Sequence, residues 1–444
     1  MTKLSLVLKP QRPALLRDKK QTIDVMIALQ APDAPAEHSK SRKPLHLGIV
    51  IDRSGSMNGR PLEEAKRCAA MVVNKLRDTD RVAIVDYDDT ATVRAEVQEA
   101  SNRLNLVNTL LDITAGGCTN LHLGWLTGAE RIAPEVTPTT VSRVMILSDG
   151  MANRGLLDRD KIYDQCQELA KAGVSTSTYG LGNNFDESLM TGMAKAGHGN
   201  AYYGQSADDL MDPFEEEIAY LENLCARKVR IQYELADHIS AEVLNPGCLL
   251  PDGSIALQDI AYQSEGWAIL RLTVAQTATI SSDTSATVPL LSAKATYETV
   301  DGVKIEVQIP VLRVPLLNPD EYSNVAVDAV VTTRLAQLEL ARLEHLARQA
   351  ARRQDWAEVE QLLNVAQRDT VASEWAQRTV KTLRNLFQMR DQEKLSKELA
   401  YSAMRKERSS SLRSNGVFGE RAGIGPAYVR EKSSQGKADP KQCT

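Results

Sequence analysis

Between about Lys43 and Glu222, short apolar runs rich in β-branched residues alternate with amphipathic runs of helical period, and this alternation constrains the fold more than any other feature of the chain. Strands that succeed one another through a helix lie parallel, with helices covering both faces of their sheet. The strand candidates are Leu45–Asp52, Arg81–Tyr87, Val93–Val97, Ser142–Ser148, Ser175–Gly182 and Ala201–Gly204. Helix candidates lie near Leu62–Arg77, Ser101–Asp112, Leu121–Ile132, Arg159–Ala172, Glu187–Ala196 and Ala207–Leu224. The pattern predicts a doubly wound, mainly parallel α/β domain over residues 43–224.

The flanking sequence has a different texture. Residues 225–316 carry Thr-, Val- and Ile-rich runs separated by Asp252-Gly253 and Asp301-Gly302, which predicts an antiparallel β-sandwich. Residues 1–42 offer two strands, Lys3–Leu8 and Thr22–Leu29, too few to bury a face alone. The economical expectation is that they complete the sandwich, with the α/β domain inserted between them and the rest. Residues 317–408 contain almost no Gly or Pro and space their apolar residues helically, which predicts a bundle of three antiparallel helices broken at Arg352–Asp355 and Asp369–Ser373. Residues 409–444 turn to Ser, Gly, Lys and Arg and read as a disordered tail.

Charge and composition exclude some roles. A net charge of −5 with few aromatic residues suits neither nucleic-acid binding nor base stacking. No run approaches the roughly 18 apolar residues of a membrane span, and the N-terminus does not read as a signal peptide. Six scattered cysteines without a CxxC pair read as separate reduced thiols. Together these lead to the expectation of a soluble, cytoplasmic protein.

The chemistry gathers at one edge of the predicted sheet. The strand Leu45–Asp52 runs straight into Asp52-Arg53-Ser54-Gly55-Ser56, so a carboxylate and two hydroxyls emerge together at its carboxyl end. Gly116-Gly117-Cys118-Thr119-Asn120 precedes a helix, and Val144–Leu147 leads into Ser148-Asp149-Gly150. Open α/β sheets bind ligands at this edge. Oxygen donors from Ser54, Ser56 and Thr119, with charge from Asp52 and Asp149, suit a six-coordinate hard cation such as Mg²⁺.

At these residues the sequence resembles the von Willebrand factor A (VWA) family with its metal-ion-dependent adhesion site, whose pattern is DxSxS, then Thr, then Asp. The order of predicted segments also resembles larger bacterial and plant VWA proteins. The resemblance implies that Ser54, Ser56 and Thr119 ligate Mg²⁺ (or Mn²⁺) directly. It also implies that Asp52 and Asp149 act largely through bound water, and that one position stays open for a partner's carboxylate.

Other candidates have two readings each. Asp86, Asp88 and Asp89 end the next strand and read first as solvated turn residues, with an indirect role beside the metal as the alternative. His122 and His198 read as locally bonded or turn residues, and neither has the partners of a catalytic triad. Gly180-Leu181-Gly182-Asn183-Asn184 lacks a nucleotide-binding pattern. The basic run Arg348, Arg352 and Arg353 reads as a solvated helix face or a dock for an acidic partner, and Arg405–Arg413 as a terminus or a docking peptide. The function expected is a non-enzymatic, metal-dependent adaptor or scaffold binding a protein partner's Asp or Glu. The alternative is an accessory subunit of an enzyme complex, such as one built on an AAA-type ATPase. Direct hydrolysis lacks a positioned general base.

Overall fold

In the computed structural model, which describes residues 3–35, 42–182, 184–204, 206–275, 287–369, 374–389, 392–407 and 410–412, the chain first lays down β1 (Ser5–Pro10), β2 (Leu15–Leu16) and β3 (Gln21–Gln30). It then builds β4 (Leu45–Asp52), α1 (Arg60–Lys75), β5 (Arg81–Tyr87), β6 (Ala91–Glu99), α2 (Arg103–Leu111), α3 (Leu121–Ile132), β7 (Val141–Ser148), α4 (Arg159–Ala172), β8 (Val174–Leu181), α5 (Glu187–Ala196), β9 (His198–Gly204) and α6 (Ala207–Glu222). The β-rich stretch follows as β10 (Leu224–Leu235), β11 (Ile239–Val243), β12 (Ile255–Ala256), β13 (Ile260–Ala261), β14 (Ser264–Val274), β15 (Thr287–Thr299) and β16 (Lys304–Leu317). Helices α7 (Pro319–Ser323), α8 (Ala329–Arg352), α9 (Trp356–Asp369), α10 (Glu374–Met389) and α11 (Gln392–Glu407) come next, and β17 (Ser410–Leu412) closes the described chain.

The central sheet has the order β6-β5-β4-β7-β8-β9, parallel except for the antiparallel edge strand β6. This is the doubly wound α/β fold. Every residue of β4 and of β7 is buried, as strands must be when helices cover both faces. One face packs on α1, α2 and α6 through Leu62, Val72, Leu106 and Phe214. The other packs on α3, α4 and α5 through Trp125, Ile162 and Met190. The chain leaves β4 toward β5 on one side and later returns to place β7 on the other, so the order switches between β4 and β7.

Two sheets flank this domain, antiparallel except for the short parallel pairing of β2 with β16. In one, β3 lies between β1 and β14, pairing Val25 with Leu270. The other is built on β10, β15 and β16. Their facing side chains, including Val25, Ile27, Leu270, Ile231 and Leu290, form a single core. Thr22–Leu29 thus pairs with β14 and takes no part in the α/β sheet.

The helical region departs from the expected three helices. Among the described residues four long ones are present, because one helix runs to Met389 and another begins at Gln392. Asp391 ahead of Gln392 and Glu393 is a helix-start pattern that spacing of apolar residues alone does not reveal. Helix α8 packs Val331 and Leu338 on Met26, Ala28, Trp267 and Ile269 of the sandwich. Helix α11 places Tyr401 against Phe185 and Tyr203 of the α/β domain, so the helices brace both parts. The tail expected to be disordered from residue 409 also differs at its start. Ser410–Leu412 pairs with Ser264–Gly266 of β14, a length of edge that β11 leaves unpaired because it meets β14 only over Leu270–Val274. Residues 413–444 lie outside the described residues. Among the described residues no helix is long and apolar enough to cross a membrane.

Candidate metal centre

The DxSxS segment, the Thr119 loop and the end of β7 meet at the switch between β4 and β7. Ile51 pairs with Leu147, so Asp52 and Ser148 leave adjacent strands side by side. Backbone hydrogen bonds then lock the loops together: Arg53 N–H to Tyr87 O at 2.9 Å, Gly55 N–H to Gly117 O at 3.0 Å, and Gly116 N–H to Arg53 O at 2.7 Å. Gly117 has φ 69°, and a Cβ there would lie 2.8 Å from the Asp88 side chain, so this crossing of loops requires glycine.

All five predicted residues come together. Ser54 and Ser56 Oγ atoms lie 3.2 Å apart, and Ser56 Oγ donates to Asp149 Oδ1 at 2.8 Å. Asp52 Oδ1 accepts the Ser54 N–H at 2.9 Å. Gly150 shows how the remaining oxygens converge. A Cβ built on it would lie 3.2 Å from Thr119 Oγ1, 3.3 Å from Ser56 Oγ and 3.6 Å from Asp52 Oδ2. Asp52, Ser54, Thr119 and Asp149 are buried, while Ser56 is exposed and opens the cluster to solvent.

The electrostatics divide the local aspartates into two groups. Arg53 lies 3.4 Å from Asp86 and 2.6 Å from Asp88, Arg94 lies 2.5 Å from Asp86, and Arg154 lies 3.7 Å from Asp89. Asp86 and Asp88 are therefore buried and paired, which corrects the reading of a solvated strand end; Asp89 is exposed. Asp52 and Asp149 have no ion pair with Lys or Arg among the described residues. Burial pushes the Asp52 carboxyl above the usual range, against the hydrogen bonds it accepts from Ser148, Ser54 and Tyr87. Burial likewise raises Asp149 to about 6; its bond from Ser56 opposes the rise and the nearby Asp52 adds to it. Two neighbouring buried carboxylates without a cationic partner form a pocket that a positive ion would neutralise. Hydroxyl and carboxylate oxygens are hard donors, so the residues present fit Mg²⁺ or Mn²⁺.

Several residues that matter here escaped the sequence reading. Ser148 Oγ donates to Asp52 Oδ2 at 2.6 Å, and Tyr87 OH to the same oxygen at 3.3 Å. Strand alternation could have found Tyr87, because it points to the face opposite Asp86 and Asp88. Asn153 Oδ1 accepts the Thr119 N–H at 2.9 Å, a link between loops that no spacing announces. His122 Nε2 lies 2.6 Å from Gln165 Oε1 on the neighbouring helix. His198 begins β9 and so lies at the opposite edge of the sheet. Gly180 lies one residue before the end of β8, with Phe185 packed where a Cβ would be. The basic run is not a wholly solvated face: Arg348 and Arg352 hold Glu187 of α5 at 3.0 and 2.6 Å, and Arg353 pairs with Glu358.

A doubly wound sheet with these loops at its switch point defines the VWA class, and residues 46–216 match the family described as von Willebrand factor type A domain. The VWA likeness thus belongs to residues 46–216, and VWA domains are protein–protein interaction modules that commonly bind a divalent metal. The chain is similar to the protein sll0103 of Synechocystis sp., 24% identical over 233 residues, which cover 52% of this chain and 54% of that protein. This chain thus spans about half of that relative's length. Among solved structures, it resembles a von Willebrand factor type A protein from Catenulispora acidiphila, with a TM-score of 0.68 at 16% identity, covering 86% of this chain and 90% of that one. It also resembles the ArnB paralog VWA2 from Sulfolobus acidocaldarius, with a TM-score of 0.59 at 17% identity, covering 93% of this chain and all of that one (100%). These likenesses concern the fold and extend well beyond residues 46–216.

Proposed function

We propose that this chain is a metal-dependent protein-interaction module, an adaptor or scaffold, that grips a partner's Asp or Glu through Mg²⁺ or Mn²⁺ held by Asp52, Ser54, Ser56, Thr119 and Asp149. The observation that carries this reading is the pair of buried aspartates, uncompensated by any cationic side chain among the described residues, beside three converging hydroxyls. When bound, the ion supplies a positive anchor for a carboxylate oxygen.

The chain's own residues set how strong that anchor is. Ser54, Ser56 and Thr119 add donors without adding charge, so less of the ion's positive charge is cancelled before a partner arrives. Arg53 and Arg94 neutralise Asp86 and Asp88, which would otherwise repel an incoming acid. Ser148 and Tyr87 hold Asp52 in one orientation. The exposed Ser56 leaves the approach open.

Calorimetric titration of the metal-stripped chain with Mg²⁺ and Mn²⁺ tests the reading. Saturable binding to the parent, lost in folded Asp52→Ala and Thr119→Ala variants, is the expected result. Parent protein that takes up neither ion, or variants that bind as the parent does, would overturn it.

A further inference from the structure

Thr119 brings its hydroxyl to the candidate centre, yet its backbone belongs to no helix or strand: α2 ends at Leu111 and α3 begins only at Leu121. A buried residue placed like this must find partners for its N–H and C=O elsewhere in the fold. Thr119 is 3% exposed, and both groups are met by two consecutive residues of the segment that joins β7 to α4. Asn153 Oδ1 accepts the Thr119 N–H at 2.9 Å, while the N–H groups of Asn153 and Arg154 donate to the Thr119 carbonyl at 3.1 and 3.3 Å.

These bonds make different demands on the sequence. Any residue but proline at 153 and 154 brings an N–H to the carbonyl, whereas the Thr119 N–H is met by the side chain of Asn153. The amides on either side of Thr119 are tied to the turn after β5 instead. Cys118 N–H donates to Asp89 Oδ2 at 3.1 Å and Asn120 N–H to Asp88 O at 2.9 Å. The loop thus hangs between two supports, and Asn153 links Thr119 itself to the one that carries Asp149. Gly155, at φ 72°, lets the segment lie close along the loop, since a Cβ there would sit 2.1 Å from Asn120 Oδ1. Asn153 is itself exposed, so its truncation opens no cavity in the core.

We infer that Asn153 is a positioning residue of the metal centre and acts through Thr119. It fixes the Thr119 peptide against the segment headed by Asp149 and Gly150, where Thr119 Oγ1 lies 3.2 Å from the Cβ position of Gly150. The Thr119 loop and the Asp149 segment then move as one body, so hydroxyl and carboxylate keep their spacing before an ion arrives. This rests on the cation-dependent reading above and adds a residue that no metal-ligand pattern in the sequence marks.

The test compares the intact parent chain with Asn153→Ala and with Asn153→Asp, which keeps an acceptor for the Thr119 N–H. Mg²⁺ affinity is read by calorimetry, and hydrogen exchange of the Thr119 N–H is read in the metal-free chain. Asn153→Ala should bind Mg²⁺ about ten-fold more weakly and exchange the Thr119 N–H about ten-fold faster, with a melting temperature close to the parent's. Asn153→Asp should regain both the affinity and the protection. Parental Mg²⁺ affinity in Asn153→Ala, or an unchanged Thr119 exchange rate, overturns the role and leaves the cation reading standing. So does an Asn153→Asp chain that regains affinity without protection, because its added charge then accounts for the gain. A parent chain that takes up no Mg²⁺ removes the cation reading and this role together.

Discussion

Ser148 Oγ donates to Asp52 Oδ2 at 2.6 Å, a side-chain bond that ties the ends of two adjacent parallel strands together at the candidate metal centre. It leaves Asp52 Oδ1 to the Ser54 N–H, so both carboxylate oxygens are oriented from neighbouring backbone or side chain. Outer partners of this kind typically change metal affinity ten-fold or more when removed. Ser148→Ala should therefore weaken Mg²⁺ binding by about ten-fold while the chain stays folded. Calorimetry beside a thermal melt checks this, and parental affinity in the variant would show that Ser148 does not position Asp52.

Gly150→Ala probes the same cavity from inside. The added methyl would sit 3.2 Å from Thr119 Oγ1 and 3.3 Å from Ser56 Oγ, in space that the converging oxygens share with any ion. Metal affinity should fall at least about ten-fold with little change in melting temperature, since such contacts force shifts of only a few tenths of an ångström. Unimpaired Mg²⁺ uptake would place the ion away from Gly150.

Glu187 gives a pH dependence. Arg348 and Arg352 beside it, with its hydrogen bonds, hold its carboxyl down to about 2 from 4.5 despite burial. A depressed carboxyl stabilises the fold fully above its ordinary value and loses that contribution as pH falls toward about 2. With partial solvent screening, the contribution is on the order of 2 kcal/mol. Urea unfolding between neutral pH and pH ~3 should show a steeper loss for the parent than for Glu187→Gln. Parallel curves would mean that this clamp between α5 and the helices carries no net stability.

Arg143 and Glu217 form a fully buried ion pair under the sheet. Glu217 also accepts from Ser177 Oγ at 2.7 Å, Asn200 Nδ2 at 2.6 Å and Tyr202 OH at 2.8 Å. Arg143→Met leaves that carboxylate charged and buried, which should cost about 3–5 kcal/mol. The double variant Arg143→Met/Glu217→Leu should regain much of the loss. Denaturant titration of the three proteins checks it, and a single variant as stable as the parent would sink the idea.

How much of this was readable in advance depended on the range of the interactions involved. The strand Leu45–Asp52 and the helix Leu121–Ile132 matched their observed bounds, because apolar periodicity is a local property of the chain. The break before Gln392 went unread because its signal is a single capping pattern. The Ser410–Leu412 strand was invisible, since it depends on an edge of β14 that only the assembled sandwich exposes. Arg348 and Arg352 looked like a solvent-facing run because their partner, Glu187, lies far away in the chain.

The sequence by itself determined the α/β class and marked Asp52, Ser54 and Ser56 as candidate oxygen donors, because alternating periodicity and DxSxS are each written within a short stretch of chain. Tertiary structure decided which aspartates stay without a cationic partner among the described residues. Arg53, Arg94 and Arg154 reach Asp86, Asp88 and Asp89 but not Asp52 or Asp149, and that choice follows from strand pairing and side-chain direction in three dimensions. Burial then raises the free-energy cost of the unpaired charges, and the same burial makes a cation the favourable partner for them.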